Sequence, residues 1–167
     1  MFADPLGEFT GWRKRLLAFS PDDVRLKKFA SQCITVAPSG QYNLARSLER
    51  GDTVAARFSE ATFFVDAISI VFLLNHRCTP FCMWAHRAVK DMPIAGALAH
   101  DGIGSLVARE SKAEKIQLVE EICSCIADAL AEEGLSDSRS NFLLDHVPSI
   151  SSHILDLALR EAVGTVP

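Results

Sequence analysis

The chain has 167 residues, of which 49% are hydrophobic and 23% charged, with a mean hydropathy of +0.16; that length and composition suffice to bury one core without covalent staples and exclude disorder over most of the chain. A net charge of −4 and a pI near 5.7 exclude the basic footprint of a dedicated nucleic-acid binder. Five cysteines, an odd number, and a Met1-Phe2-Ala3-Asp4-Pro5 start with neither a basic nor an apolar leader region predict reduced thiols in a cytoplasmic setting.

In chain order, Asp4-Pro5 reads as an N-cap followed by a first-turn proline. Leu6, Phe9, Trp12, Leu16 and Leu17 then recur on one face, so a first helix is expected over about residues 5–18. Ser20-Pro21-Asp22-Asp23 repeats the device before a second helix with Leu26, Phe29, Ala30, Cys33 and Ala37 inward. Pro38-Ser39-Gly40 is expected to break or kink it, and a short helix to resume over 42–49. Gly51-Asp52 restarts the chain into the longest periodic segment, 53–75, apolar nearly all round from Phe63 to Leu74. Its most apolar part, 61–74, falls short of the ~20 residues a bilayer demands and carries Asp66, so it reads as a buried central helix and no membrane partner is expected.

Thr79-Pro80 is expected to cap a short amphipathic helix with Phe81, Trp84, Ala85 and Ala88 that ends before Pro93. The glycine-containing stretch 92–111 is the weakest place for a boundary within what otherwise reads as one helical domain, 1–167. Ser111-Lys112-Ala113-Glu114 is a capping box, and Ile116, Val119, Ile122, Cys123, Ile126, Ala127 and Leu130 follow at helical spacing up to Gly134. After Pro148 a last helix is expected to carry Ile150, Ile154, Leu155 and Leu159. Nothing alternates with period two for long enough to make a sheet, which predicts an all-α fold: an antiparallel bundle of about five to seven helices around the central helix 53–75.

Several strings occur together: Asp4-Pro5-Leu6-Gly7-Glu8-Phe9, Pro21-Asp22-Asp23-Val24-Arg25-Leu26-Lys27-Lys28, Ser39-Gly40-Gln41-Tyr42-Asn43, Val71-Phe72-Leu73-Leu74-Asn75, Trp84-Ala85-His86-Arg87, Gly134-Leu135-Ser136-Asp137-Ser138 and Phe142-Leu143-Leu144-Asp145-His146. Together they resemble the C-terminal helical region, a domain of unknown function, of nucleotidyltransferase-like proteins of the kanamycin-nucleotidyltransferase type. The resemblance spans almost the whole chain and implies a substrate-side helical domain. The N-terminal domain of that family, with its Gly-Ser loop and Asp-x-Asp pair, has no counterpart here. The only candidate relic, Asp101-Gly102-Ile103-Gly104-Ser105, is not followed by such a pair anywhere downstream, so nucleotidyl transfer is not expected of this chain alone. His76-Arg77-Cys78 and Phe81-Cys82-Met83-Trp84 stand where family members resemble Arg-Arg-Tyr and Tyr-Lys-Trp, which implies a more apolar pocket.

Asp66 within an apolar helix admits two readings: an internal salt bridge to an arginine such as Arg46 or Arg87, or a general acid or base, or an anchor for a ligand amine, with a raised pKa. His86 beside Trp84 reads either as a capping and surface residue or as an acid-base group against a planar ligand. Gln41, Tyr42 and Asn43 at the helix break are either backbone caps or pocket-lining groups. Asp66, His86 and Tyr42 are therefore the catalytic candidates. Gln41, Asn43, Asn75, Arg77, Phe81, Trp84 and Arg87 are the ligand-binding candidates. The Cys78/Cys82 and Cys123/Cys125 spacings do not match a structural zinc site, so neither a metal nor a cofactor is expected. Asp145 and His146 are adjacent and point about 100° apart on a helix, so they form no dyad.

The function expected is the binding of a small organic molecule between helices. The alternatives are a cofactor-independent cyclase or isomerase of specialised metabolism that uses the same pocket, or a module for homodimerisation or for docking a separate catalytic subunit.

Overall fold

The computed structural model describes residues 5–17 and 22–162. All regular elements among them are helical: α1 (Glu8–Leu17), α2 (Asp22–Val36), a π-helical segment (Ala37–Leu44), α3 (Ala45–Arg50), α4 (Thr53–Leu74), α5 (Cys82–Val89), α6 (Gly96–Ala108), α7 (Lys112–Glu132), a 3₁₀ turn (Leu143–His146), α8 (Val147–Ser152) and α9 (Leu157–Glu161). The expected caps at Asp4 and Ser20 lie outside the described residues.

The helix α2 buries Leu26, Phe29, Ala30 and Cys33, as the spacing predicts. Pro38 does not break the chain's helical path. A proline inside a helix removes one donor and crowds the preceding turn, and here the backbone widens into a π turn that accommodates it, so that α2, the π segment and α3 follow without interruption. Tyr42, expected to open a short helix, lies within the π segment instead.

Gly51 ends α3 in the left-handed conformation, φ +72°, and the N–H of Asp52 donates to Ser47 O at 3.0 Å. This closure suits glycine, which has no Cβ to clash at positive φ. The Asp52 side chain then caps α4 by accepting from the Ala55 N–H at 3.0 Å. The two devices turn the chain through a tight elbow between α3 and α4.

The central helix α4 packs against α2, the π segment, α3, α5, α6 and α7. Phe63, Ile70, Val71 and Leu74 are fully buried on it, each burial stabilising the fold by roughly 1.5–3 kcal/mol relative to exposure. One apolar cluster runs from Leu26 of α2 to Ile154 after α8.

Three elements differ from expectation. The short helix α5 starts at Cys82, with Phe81 rather than Thr79 in the cap position and no side-chain cap bond. Its inner face is Ala85 and Val89, and Phe81 and Trp84 are exposed. Residues 96–108, within the glycine-containing stretch, form α6, and a Cβ at Gly102 would lie 3.0 Å from the Ile122 side chain. The glycine there serves the close crossing of α6 over α7 rather than a turn. The single last helix expected after Pro148 is two short ones, because Asp156 caps a new start by accepting from the Ala158 and Leu159 N–H groups at 2.9 and 3.2 Å. Leu6, just before α1, and Phe9 and Trp12 on it are exposed.

Candidate functional site

Where α4, α5 and α6 meet, they leave a groove of about 620 Å³. Its floor is the Ala61, Phe64, Val65 and Ile68 face of α4. Thr79, Pro80, Cys82, Ala85 and His86 make one wall, and Ile103, Gly104 and Val107 of α6 make the other. Ala85 of α5 and Gly104 of α6, small residues on the two walls, leave the space beside α4 open. Its surface is almost wholly apolar, and Cys82 and His86, one turn apart on α5, are the titratable groups on it.

His86 is held in place. Its Nε2 lies 3.1 Å from the carbonyl oxygen of His100, which makes Nε2 the protonated nitrogen and leaves Nδ1 as the basic one. The two imidazoles stack with centroids 4.5 Å apart and planes 18° apart, and His100 Nδ1 donates to Asp101 Oδ1 at 2.8 Å. The arrangement sets an oriented, polarisable group at the mouth of an apolar groove.

The other expected site residues are not gathered around it. Asp66 sits on a different face of α4, and its partner is the Thr35 hydroxyl of α2. No ion pair to Arg46 or Arg87 forms among the described residues. Burial pushes the Asp66 carboxyl above its ordinary range, and the Thr35 hydrogen bond pulls it partly back. Tyr42 and Asn43 line a separate depression in the elbow between α3 and α4.

Gln41 is committed to the fold. Its Nε2 donates to Glu120 Oε2 at 2.9 Å and to Asn141 O at 2.8 Å, and its Oε1 accepts from the Leu143 N–H at 3.1 Å. Asn75 is committed likewise: Nδ2 donates to Val71 O and Ile94 O at 2.7 and 2.9 Å, and Oδ1 accepts from the Ile94 N–H at 2.9 Å. These two amides tie the π segment to α7 and the end of α4 to the approach to α6.

His76 takes a left-handed φ of +51°, and the Arg77 N–H donates to Phe72 O at 2.9 Å. The His76-Arg77-Cys78 string is thus the exit turn of α4. Arg77, Phe81, Trp84 and Arg87 are exposed and do not line the groove.

The Asp101-Gly102-Ile103-Gly104-Ser105 string lies within α6, where helical bonding occupies the backbone N–H groups that a phosphate loop would offer. His146 is fully buried, with Nε2 donating to Ser140 O at 2.8 Å and Nδ1 facing Ser136 Oγ at 2.8 Å, so it organises the 136–146 loop rather than pairing with Asp145. Among the described residues no group of three or more His, Cys, Asp or Glu side chains converges as a metal site would require, and no helix is long and apolar enough to cross a membrane.

The groove residues Ala61, Val65, Ile68, Ile103 and Val107 were not singled out in the sequence. The signal was present in α4, where Val54, Phe58, Ala61 and Val65 repeat at spacings of four, three and four. That is a second apolar stripe, on the side of the helix away from Phe63 and Ile70.

No curated protein and no solved structure matches the chain. Residues 1–85, which run from the N-terminus into α5 and make up just over half of the chain, match a domain of unknown function, DUF4037, and the chain belongs to that family.

Proposed function

We propose that the domain binds a small organic molecule in the groove between α4, α5 and α6, and that it performs no nucleotidyl transfer on its own. The observation that carries this reading is the groove itself. A concavity of about 620 Å³ with an apolar lining and one oriented imidazole at its rim has the size and polarity of small-molecule sites, which run to roughly 300–1,000 Å³. The resemblance to the substrate-side helical region of nucleotidyltransferase-like proteins supports the same reading.

The test is a screen of apolar and aromatic fragments followed by ¹H–¹⁵N NMR and thermal shift. Binders are expected to move the amide signals of Ile68, Ala85 and Ile103. Gly104→Leu, whose Cβ meets nothing within 4 Å, is expected to fill the groove and abolish those shifts while the fold stays intact. If no fragment moves these signals, the reading fails.

A cyclase or isomerase is less well supported, because Asp66 and Tyr42 do not line the groove with His86. A docking module is favoured by one observation, the exposed cluster Phe81, Met83 and Trp84 at the start of α5. Light scattering across a dilution series, with Trp84→Glu as the comparison, tests self-association: a concentration-dependent dimer lost in that variant supports docking.

A further inference from the structure

Arg46 and Arg50 lie one turn apart on α3, and neither forms an ion pair among the described residues, in a chain of net charge −4. Arg46 is positioned by Tyr42. Its guanidinium carbon lies 4.8 Å from the ring centroid and Nη1 donates to the phenol oxygen. Both arginines line the elbow depression, about 440 Å³, together with Asn43, Ser47 and Ser59. Among the described residues no carboxylate lines the depression. Asp52 is engaged as the cap of α4, and the exposed Glu49 pairs with neither arginine. Two guanidinium groups with hydroxyl and amide donors around one hollow have the chemistry of an oxyanion site.

This depression does not stand alone. Phe58 lines both it and a second hollow with Val54 and Ala61, and Ala61 in turn lines the apolar groove. Phe58 stands between the first two hollows and Ala61 between the last two, so the three follow one another as a trough along α4, with the arginines at one end and His86 at the other. Along it Phe58, 71% exposed, and Val65, 54% exposed, offer apolar surface, with Thr53 and Arg57 beside the middle hollow. From Phe58 to Ile68 the helix rises about 15 Å, room for an extended apolar chain.

The geometry points to an amphiphilic ligand, an alkyl phosphate monoester. Its phosphate would be held by Arg46 and Arg50 and its chain laid over Phe58 and Ala61 towards the groove. A phosphate monoester carries roughly −1.5 to −2 at neutral pH, which balances two guanidinium groups; a fatty carboxylate, with a single charge, balances only one. This assignment rests on the groove being a ligand site, as proposed above, and adds the head group and the direction in which the ligand lies.

The test uses the full chain with three probes: octyl phosphate, octanol and inorganic phosphate, by calorimetry and ¹H–¹⁵N NMR. Octyl phosphate is expected to bind at least about tenfold more tightly than octanol, since only the phosphate forms charge-assisted hydrogen bonds to the guanidinium groups, and to shift signals at both ends of the trough. The exposed pair R46Q/R50Q is expected to abolish that preference with octanol binding and thermal stability unchanged, and R46K/R50K to retain part of it. If wild type and R46Q/R50Q bind octyl phosphate and octanol equally, the head-group site is overturned while the groove reading stands. If inorganic phosphate binds as tightly as octyl phosphate, the continuous trough is overturned. If neither alkyl probe binds, both readings fall.

Discussion

Phe63 Cε2 lies 2.7 Å from the point that a Cβ on Gly40 would occupy. The π segment thus rests its bare backbone on the face of a fully buried ring of α4, and no larger residue fits unless Phe63 moves. Gly40→Ala is expected to cost about 1–3 kcal/mol, the usual penalty for overfilling a packed core. Gly104→Ala, where a Cβ meets nothing within 4 Å, is expected instead to stabilise α6 by roughly 0.5–1 kcal/mol. Urea unfolding of both variants checks the pair, and a Gly40→Ala midpoint equal to wild type contradicts the close approach.

A buried ion pair joins α4 to the first turn of α7. Lys115 Nζ contacts Glu60 Oε1, both side chains are buried, and Arg57 Nη1 reaches Glu60 Oε2 at 2.7 Å from the exposed side. Removing one partner of a buried pair strands the other charge. Glu60→Leu is therefore expected to cost about 3–5 kcal/mol. Lys115→Met is expected to cost less, because Arg57 still neutralises Glu60. The double variant should be more stable than the sum of the single losses predicts, a coupling that a double-mutant cycle measures directly.

The helices most legible in the sequence were those whose ends carry their own chemistry. The Ser111 side chain accepts from the Glu114 N–H at 3.4 Å, and Asp52 caps α4, so α7 and α4 fall where capping and periodicity place them. Residues 96–108 were obscured because Gly96, Gly102 and Gly104 made this stretch read as the weakest place for a boundary, whereas Gly102 answers to the Ile122 side chain of another helix, a contact no local pattern reveals. Phe81 and Trp84 were read as ligand-binding residues on an amphipathic helix, yet they are exposed outside the groove, and Ala85 and Val89 do the packing. For the site, His86 was legible as a titratable group beside an aromatic. The groove was not, because Ala61, Val65 and Val107 carry the same apolar signal whether they face a core or an open trough. Gln41 and Asn75 were legible as polar residues at helix breaks, but their partners lie far along the chain, at Leu143 and Ile94.

Asp66 supplies a pH dependence with a definite sign. Its carboxyl is raised above 3.8 first by desolvation, with the Thr35 hydrogen bond opposing. The folded state therefore holds this proton more tightly than the unfolded state does, and stability contributed by the protonated form is lost as pH rises from 3.8 through the folded pKa. Asp66→Asn is expected to be more stable than wild type near pH 7, with the difference shrinking as pH falls towards 3.8. Denaturation midpoints of the two proteins across that range test this, and a pH-independent difference rules out desolvation of Asp66 as its origin.

The five thiols should separate by burial. Cys78 and Cys82 are exposed, on the exit from α4 and the first residue of α5. Cys33 and Cys123 are buried, and burial pushes the Cys33 thiol up to about 12 and raises that of Cys123 as well. Because the thiolate is the reactive species, both core thiols are doubly protected, by access and by protonation. Cys125, half-buried, is raised by desolvation first and then by Asp128 and Glu132. Maleimide labelling followed by peptide mapping is expected to modify Cys78 and Cys82 quickly, Cys125 more slowly, and Cys33 and Cys123 only when urea opens the core. Since Cys82 also lines the groove, a bound ligand should slow its labelling and leave Cys78 unaffected; equal protection of both, or of neither, argues against occupancy of the groove.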